Sequence, residues 1–538
     1  MCGCYPPRVR SLPAFGACFG LAILAACASE SPADPAPNTT APTRDASAAD
    51  APTTPTSDAA TDGGADASQP KGPPPSTLPV TFTRPDVGTP LTPAELAKAT
   101  DELIAILKGT SYFQFVDDRV HGWPETDPGK GYWYGHYWSG VRVTKAGGTV
   151  TYTHSTDGAD NVGISTAPYL EGACYGYLMW GDTKLGHLTR RMLRSYTAWI
   201  KAMVRSAGDT NPTLLARNLY HHNITSTEGG RSLAIDYAPS FPGIDASPSE
   251  YVHVPTNPTF GDVYIKNKRS KDDIGHMLRS MALLAPCGGR LDAAGKADMA
   301  ELKALYESWG KRVNDQGFAI ETLDKSQNLW TPPDQLAHYT LIGNVECLGA
   351  LSLRLKGTGV AGDLDCGTGL GSTEKLAWNF LKNDARQIVR THHAAALTLA
   401  YEKAQLPLAR SLLQGLTERV ELDLGVVEGG SPPAGFSLPD VTSELVYAGN
   451  SGVPLTSREV RWLHGRVHDA FTTMLAPANA RTFRLFDAST PDGTYSYDPP
   501  ESSINFRDLG MLIGTCASTY RNPAGRAVLD CDKLLAAF

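Results

Sequence analysis

The chain has 538 residues, of which 41% are hydrophobic and 19% charged, and its formal net charge at pH 7 is −8. This length suits one large domain or two to three small ones with tails. No Lys/Arg block stands out, and no apolar run approaches the roughly 20 residues of a membrane-spanning helix, so the composition argues against a nucleic-acid binder and against a polytopic membrane protein.

The first 27 residues predict an export signal. Arg8 and Arg10 form a short basic region, residues 14–26 form an apolar segment of secretory length, and residues 24–27 read LAAC. This ending resembles the lipobox of bacterial lipoproteins. The resemblance implies that residues 1–26 are removed as a signal peptide and that Cys27 carries diacylglycerol on its sulfur and an acyl chain on its new amine. The alternative is an ordinary signal peptide with a chance cysteine.

The composition of residues 27–79 predicts a disordered tether that follows the lipidated cysteine, Cys27. They are almost all Ala, Pro, Thr, Ser, Asp and Gly without an aromatic residue, so they cannot bury enough apolar surface to offset the entropy of ordering. A flexible coil of this length spans about 40 Å. Such a tether would hold the remaining chain off a membrane surface, within reach of an extracytoplasmic polymer. Ala28 after the lipobox cysteine favours the outer membrane or cell surface of a two-membrane bacterium, which is again what the resemblance implies.

We expect residues 80–538 to form one helical globular domain, because no second low-complexity stretch divides them. Six cysteines fall in this domain, and an even number in an exported chain indicates disulfides. Proximity along the chain favours the pairs Cys516–Cys531 and Cys347–Cys366, which leaves Cys174–Cys287.

Helical periodicity dominates the domain from about residue 168 onward. The exception is 132–154, which reads as a β-hairpin around Gly147 and Gly148. Long Pro- and Gly-rich loops are expected at 222–269 and 425–455. The predicted helices are 93–108, 169–180, 183–206, 212–221, 271–285, 292–314, 334–356, 372–382, 384–404, 406–424, 456–477, 504–517 and 524–536.

About a dozen helices in hairpin-like pairs, with long loops between some of them, predict a mainly α fold of (α/α) toroid type with a small β-hairpin insertion. An α-solenoid, which should show an internal repeat, and an irregular helical domain are the alternatives. The toroid layout resembles a large class of glycoside hydrolases and polysaccharide lyases. That resemblance rests on helix count and loop layout, and it implies a cleft at one end of the barrel.

The densest aromatic segment, from Tyr112 to Trp138, is the candidate sugar-binding region, because sugar CH faces stack on aromatic rings. The alternative is ordinary core packing. The candidate substrate-binding residues are Trp123, Trp133, Tyr137 and Trp138, together with Arg386.

The candidate catalytic residues lie on polar strips of two predicted helices. Asp272, His276 and Arg279 share one strip, and Arg386, Arg390 and His393 share another. In a lyase, His276 or His393 would be the base, and the arginines would neutralise a uronate carboxylate. The alternative is a helix cap for the first strip and a solvated basic face for the second.

A hydrolase would instead need two carboxylates, about 5–9.5 Å apart depending on stereochemistry. The candidates are Asp160, Asp272 or Asp273, Glu228 and Glu428, each of which could equally serve turn chemistry.

A third possibility is a metal-dependent hydrolase built on His464 and His468, spaced i, i+4 on a helix. The periodicity predicts that the buried face of this helix consists of Val460, Leu463, Val467, Phe471 and Met474. Gly465 stands where a zincin has its catalytic Glu, so the motif is not that of a metalloprotease, and no metal or cofactor is assigned.

These patterns predict an exported, lipid-anchored protein that acts on an acidic polysaccharide as a lyase or glycoside hydrolase. The alternative is a non-catalytic lipoprotein that binds a carbohydrate or a protein.

Overall fold

A computed structural model of the chain provides the structure. It describes residues 84–113, 120–121, 136–137, 141–147, 149–154, 162–201, 219–220, 224–226, 233–237, 251–258, 261–266, 280, 284, 286–315, 421–430, 438–450, 453–477, 491–496, 502–521 and 526–538. The predicted signal peptide, lipidation site and tether lie outside these residues, as do the predicted helices at 334–356, 372–382 and 384–404.

The described part is mainly helical, in agreement with the sequence. A further short helical stretch covers 421–428. The labelled helices are α1 (Pro93–Gly109), α2 (Val162–Trp180), α3 (Thr183–Lys201), α4 (Ala293–Asp315), α5 (Leu438–Asn450), α6 (Ser457–Met474), α7 (Phe506–Leu509), α8 (Ile513–Arg521) and α9 (Cys531–Ala536).

Capping boxes set the starts of α1 and α6. Thr92 accepts from the backbone N–H of Glu95, whose carboxylate accepts from the Thr92 backbone in return, and Thr456 and Glu459 repeat the arrangement at α6. Each box satisfies two backbone N–H groups that the helix itself cannot pair. Both helices therefore begin where the sequence predicts them.

Helix α2 forms the centre of the core. Residues 166–180 are buried on every side, and the helix packs against α3, against α8 and against the 3₁₀ turn Gly510–Leu512. A helix that is apolar all round has no solvent face and must be enclosed by neighbours. Around this centre, α3 packs on α4, α1 on α6, and α5 on α8.

The strands are β1 (Val120–His121), β2 (His136–Tyr137), β3 (Val141–Ala146), β4 (Thr149–His154), β5 (Leu219–Tyr220), β6 (Ile224–Ser226), β7 (Leu233–Tyr237), β8 (Tyr251–Asn257), β9 (Gly261–Lys266) and β10 (Gly493–Ser496). The hairpin β3–β4 is antiparallel, as predicted. It belongs to a five-stranded sheet of order β10-β3-β4-β7-β6, beside a three-stranded sheet of order β5-β9-β8 and the pair β1–β2.

The β content between 219 and 266 corrects the sequence analysis. The expected loop 222–269 contains β6, β7, β8 and β9, and β5 lies within the range 212–221 where a helix was expected. Alternating β-branched and aromatic residues in 251–266 are a strand signal, but the surrounding Pro and Gly residues favoured a loop. The β part is therefore larger than the small hairpin expected.

Two further boundaries differ near the C-terminal end of the domain. Helix α5 lies inside the expected loop 425–455, and the expected helix 504–517 is divided into α7, a 3₁₀ turn and α8. The last helix begins at Cys531 rather than at 524. Asp530 caps it by accepting from the Lys533 backbone N–H.

Two predicted disulfides are present. Cys174 is bonded to Cys287, with Cα atoms 5.9 Å apart, and Cys516 to Cys531, with Cα atoms 5.4 Å apart. The first ties α2 to the segment before α4, and the second ties α8 to α9. Cys347 and Cys366 lie outside the described residues. None of the helices in the described part of the chain is long and apolar enough to span a membrane.

Candidate functional site

Helix α6 carries two distinct faces. Val460, Leu463, Val467 and Met474 form the buried face that the periodicity predicts, whereas Phe471 is half-buried. The opposite face presents a second stripe at the spacing i, i+3, i+4, i+7 and i+8, which aligns side chains on one side of a helix. Its members are Arg458, Arg461, Trp462, Gly465 and Arg466.

This second stripe forms the floor of a cleft of about 320 Å³, which we call the α6 cleft. Gly88 and Glu428 complete its walls. The volume lies at the lower end of the range of about 300–1,000 Å³ found for small-molecule sites. Three separate segments of the chain, around residues 88, 428 and 458–466, therefore meet at one place.

Residues 84–92, which we call the strap, hold the first turn of α6 in place. The Asp86 carboxylate accepts from the backbone N–H and the hydroxyl of Ser457, both at 2.7 Å. The Val87 carbonyl accepts from the Arg458 backbone N–H at 2.8 Å. Burial by itself raises the pKa of Asp86, but the Ser457 bonds and nearby Arg526 outweigh it and hold that pKa below its ordinary value.

A buried ion pair adds to this anchorage. The Arg84 guanidinium binds both carboxylate oxygens of Glu459 at 2.7 Å, and the Glu459 side chain is fully buried. The bidentate geometry is the strongest form of this contact. The wall of the α6 cleft near Gly88 is therefore fixed by the ion pair to buried Glu459 and by the partly buried bonds between Asp86 and Ser457.

Gly88 is required where the strap crosses α6. Its φ of +95° is one that L side chains rarely adopt, and a Cβ there would lie 2.9 Å from the Arg458 backbone nitrogen. Only glycine allows this approach without strain. Gly465, by contrast, has nothing within 4 Å of a would-be Cβ, so it leaves open space in the floor of the cleft.

Carboxylates hold two of the three arginines. Arg458 donates to Glu428 Oε2 from Nε at 2.9 Å and also from Nη2, and to Glu421 Oε2 at 3.1 Å. Arg461 binds Glu95 and the carbonyls of Thr89 and Pro90. The hydrogen bond from Arg461, with those from Thr92, lowers the pKa of Glu95 to about 2.

Arg466 differs from the other two arginines. Its guanidinium lies 4.6 Å from the Trp462 ring centroid, and no carboxylate of the described residues is within ion-pairing distance. The neighbouring Asp469 instead accepts from the Ser503 backbone N–H at 2.9 Å and from its hydroxyl at 2.6 Å. Arg466 therefore keeps a positive charge beside an aromatic face.

Two buried hydrogen-bond donors in the floor of the α6 cleft lack an acceptor. Trp462 Nε1 and Arg466 Nε are shielded from solvent and have no hydrogen-bond partner among the described residues. A buried unpaired donor costs about 1–3 kcal/mol, so native proteins rarely keep one without a reason. Both donors belong to side chains that line the α6 cleft.

The histidine pair of α6 lies outside the lining of the α6 cleft. His464 Nε2 donates to the Val528 carbonyl at 2.7 Å, and His468 Nδ1 hydrogen-bonds Glu102 Oε1 at 2.8 Å. Burial lowers the pKa of His464, against the opposing effect of the Val528 bond. Within the described ranges, no group of three or more His, Cys, Asp and Glu side chains could hold a metal ion, so the metal-hydrolase hypothesis finds no third ligand there.

Most of the predicted site residues lie outside the described residues. This applies to Asp272, His276, Arg279, Arg390 and His393, to Trp123, Trp133, Trp138 and Arg386, and to the carboxylates Asp160, Asp273 and Glu228. Tyr137 is described through its backbone, which pairs with Val120 in β1–β2. Glu428, a hydrolase candidate, is bonded to Arg458 in the α6 cleft.

Sequence reasoning missed the polar stripe of α6 although its signal is local. The same helical spacing that identifies the buried face also aligns three arginines and a tryptophan on the other side. The i, i+4 spacing of His464 and His468 on the same helix predicts a metal site instead. Comparison of the chain with protein-family models, curated proteins and solved structures finds no match.

Proposed function

We propose that this protein is an exported lipoprotein, anchored through Cys27 at the outer membrane or surface of a two-membrane bacterium, and that it binds an acidic polysaccharide in the α6 cleft. The observation that carries the proposal is the contact between Trp462 and Arg466 in the floor of the cleft, where two buried hydrogen-bond donors lack an acceptor. The lipobox-like sequence at 24–27 supports the anchor. The two disulfides fit an oxidising compartment outside the cytoplasm.

The chemistry of the cleft suits a charged sugar. An indole offers an apolar face and one polar N–H, which matches the CH face and the hydroxyls of a sugar ring. The Arg466 guanidinium adds a positive charge and planar donors that bind carboxylates. Because this charge has no carboxylate partner in the described part of the structure, an acidic ligand would meet it without displacing one.

We propose further that the helices belong to an (α/α) toroid. Helix α2 packs on α3, and α3 packs on α4, as neighbouring helices of such a fold do. Cleavage of the polysaccharide by elimination or hydrolysis rests on Asp272, His276, Arg390 and His393, and it stays a prediction. Release of unsaturated products or of reducing ends from polyuronates would test it.

Binding of polygalacturonate to the full chain tests the proposal. We expect saturable binding that Arg466→Gln and Trp462→Ala each weaken at least tenfold. Lys533→Gln is the matched control, since it removes a partly exposed cation that pairs with Asp101 away from the cleft. Equal binding by all four proteins would overturn the role of the cleft. Absence of binding to any acidic glycan would overturn the proposed function.

A further inference from the structure

Glu428 is the acidic residue that faces the α6 cleft with an exposed side chain. Its side chain is 44% exposed, and its carboxylate binds Arg458 through a single oxygen, Oε2. Its other oxygen, Oε1, has no hydrogen-bond partner among the residues that the structure describes. The bond to Glu428 raises the pKa of Arg458, which stays fully charged.

Glu421, the second carboxylate bound to Arg458, is held more firmly than Glu428. Glu421 is 22% exposed and is held by three groups at once: Arg84, Arg458 and the Thr456 hydroxyl at 2.9 Å. Removal of Glu421 would disturb the start of α6. Glu428 makes no such structural contact, and exposed pairs of its kind contribute about 0–1 kcal/mol. Arg458 thus has one permanent carboxylate partner and one that can be exchanged.

The backbone after Glu428 favours such an exchange. Residues 421–428 are helical, and the helix ends directly afterwards at Gly429 and Gly430, whose N–H groups bond to the carbonyls of Gly425 and Val427. Gly430 has a φ of +84°, which terminates a helix without strain. Glu428 therefore sits on the last helical turn, where its side chain can turn to solvent while the helix stays intact.

We propose that Glu428 occupies the carboxylate subsite of the α6 cleft and that the carboxylate of a uronic acid residue displaces it from Arg458. This inference rests on the proposed function and narrows its ligand to polyuronates. The exchanging groups are both planar carboxylates, so the ligand regains the two donors, Nε and Nη2, that Glu428 releases. The sugar ring attached to that carboxylate would extend along the floor of the same cleft towards Trp462.

The test compares Glu428→Gln with wild type for binding of polygalacturonate by the full chain. The substitution keeps the size of the side chain and removes the competing charge, so we expect binding about fivefold tighter, as loss of an exposed pair permits. Asp101→Asn is the matched control, because Asp101 is also exposed and ion-paired but lies outside the cleft. We expect it to change binding less than twofold.

Two further probes separate carboxylate recognition from general charge. Neutral dextran should bind wild type and Glu428→Gln equally. Dextran sulfate should gain less from Glu428→Gln than polygalacturonate does. An equal gain would overturn the carboxylate subsite in favour of simple charge attraction.

The outcomes also distinguish failure of this inference from failure of the proposed function. If wild type binds polygalacturonate and Trp462→Ala does not, but Glu428→Gln binds no tighter, the displacement is wrong and the cleft remains the binding site. If neither wild type nor Glu428→Gln binds polygalacturonate, the proposed function fails and this inference fails with it. Melting curves that coincide with wild type confirm that Glu428→Gln is folded.

Discussion

The Arg466 guanidinium lies 4.6 Å from the centroid of the Trp462 ring, one turn further along α6. The spacing i, i+4 brings the two side chains together on the surface of the helix. A guanidinium over an indole is attracted by the ring's negative face, an effect worth about 0.5–1 kcal/mol at exposed sites. Arg466 has no carboxylate of the described residues within ion-pairing distance, although its charge helps to lower the pKa of Asp469.

We expect the pair to be energetically coupled. A double-mutant cycle of Trp462→Ala and Arg466→Ala, measured by urea denaturation, should give a coupling energy of about 0.5–1 kcal/mol. A cycle of Trp462→Ala and Arg461→Ala provides the control, because Arg461 binds Glu95 and the carbonyls of Thr89 and Pro90. A coupling near zero for the first cycle would show that the contact does not stabilise the fold.

The two glycines of the cleft should respond oppositely to alanine. Gly465→Ala places a methyl group in open space within a helix, so we expect it to raise the free energy of unfolding by about 0.5–1 kcal/mol. Gly88→Ala should lower it by more than about 1 kcal/mol, because of its φ of +95° and the close approach to Arg458. Thermal melting by circular dichroism measures both, and changes of the same sign would contradict the described backbone.

Loss of Arg84 should destabilise the domain strongly. Arg84→Met removes the charged partner of Glu459, whose side chain is fully buried, and breaking such a pair costs about 3–5 kcal/mol. Lys533→Met is the control, because its pair with Asp101 is partly exposed and such pairs contribute about 0–1 kcal/mol. Urea denaturation compares the two, and equal losses would mean that the Arg84–Glu459 pair is not buried in solution.

Acidification should weaken the fold through His464. Burial holds its pKa in the folded state below the ordinary value of 6.5. As the pH falls below 6.5, the unfolded chain takes up a proton that the folded chain resists, so the free energy of unfolding decreases. His464→Gln should lose less stability than wild type between pH 7.5 and 5.5.

Three carboxyl groups on and around α6 titrate outside that window. The pKa values of Asp86, Glu95 and Asp469 lie below their ordinary values, so their stabilising effect is lost only when the pH falls well below 4.5. Burial opposes the lowering for Asp469, but its bonds from Ser503 prevail. An identical pH dependence for His464→Gln and wild type would contradict the burial of this imidazole.

Features that depend on neighbouring residues were predictable from the sequence. The capping residues Thr92 and Thr456, the hairpin 141–154 and the disulfide Cys516–Cys531 all involve partners close along the chain. Their energetics depend on local hydrogen bonds, helical spacing and short loop closure, which a linear pattern records. The strands between 219 and 266 were missed because Pro and Gly residues interrupt an otherwise alternating pattern.

The sequence by itself determined that the described part of the domain is mainly helical, where α1 and α6 begin and which face of α6 is buried. Only the tertiary structure decided that β10 pairs with β3, that Arg84 neutralises Glu459, and that residues 88, 428 and 458–466 form one cleft. These contacts join residues hundreds of positions apart, as with the separation of 375 between Arg84 and Glu459. Periodicity and capping report on the nearest turns of the chain, whereas distant pairing depends on how all the buried faces pack together.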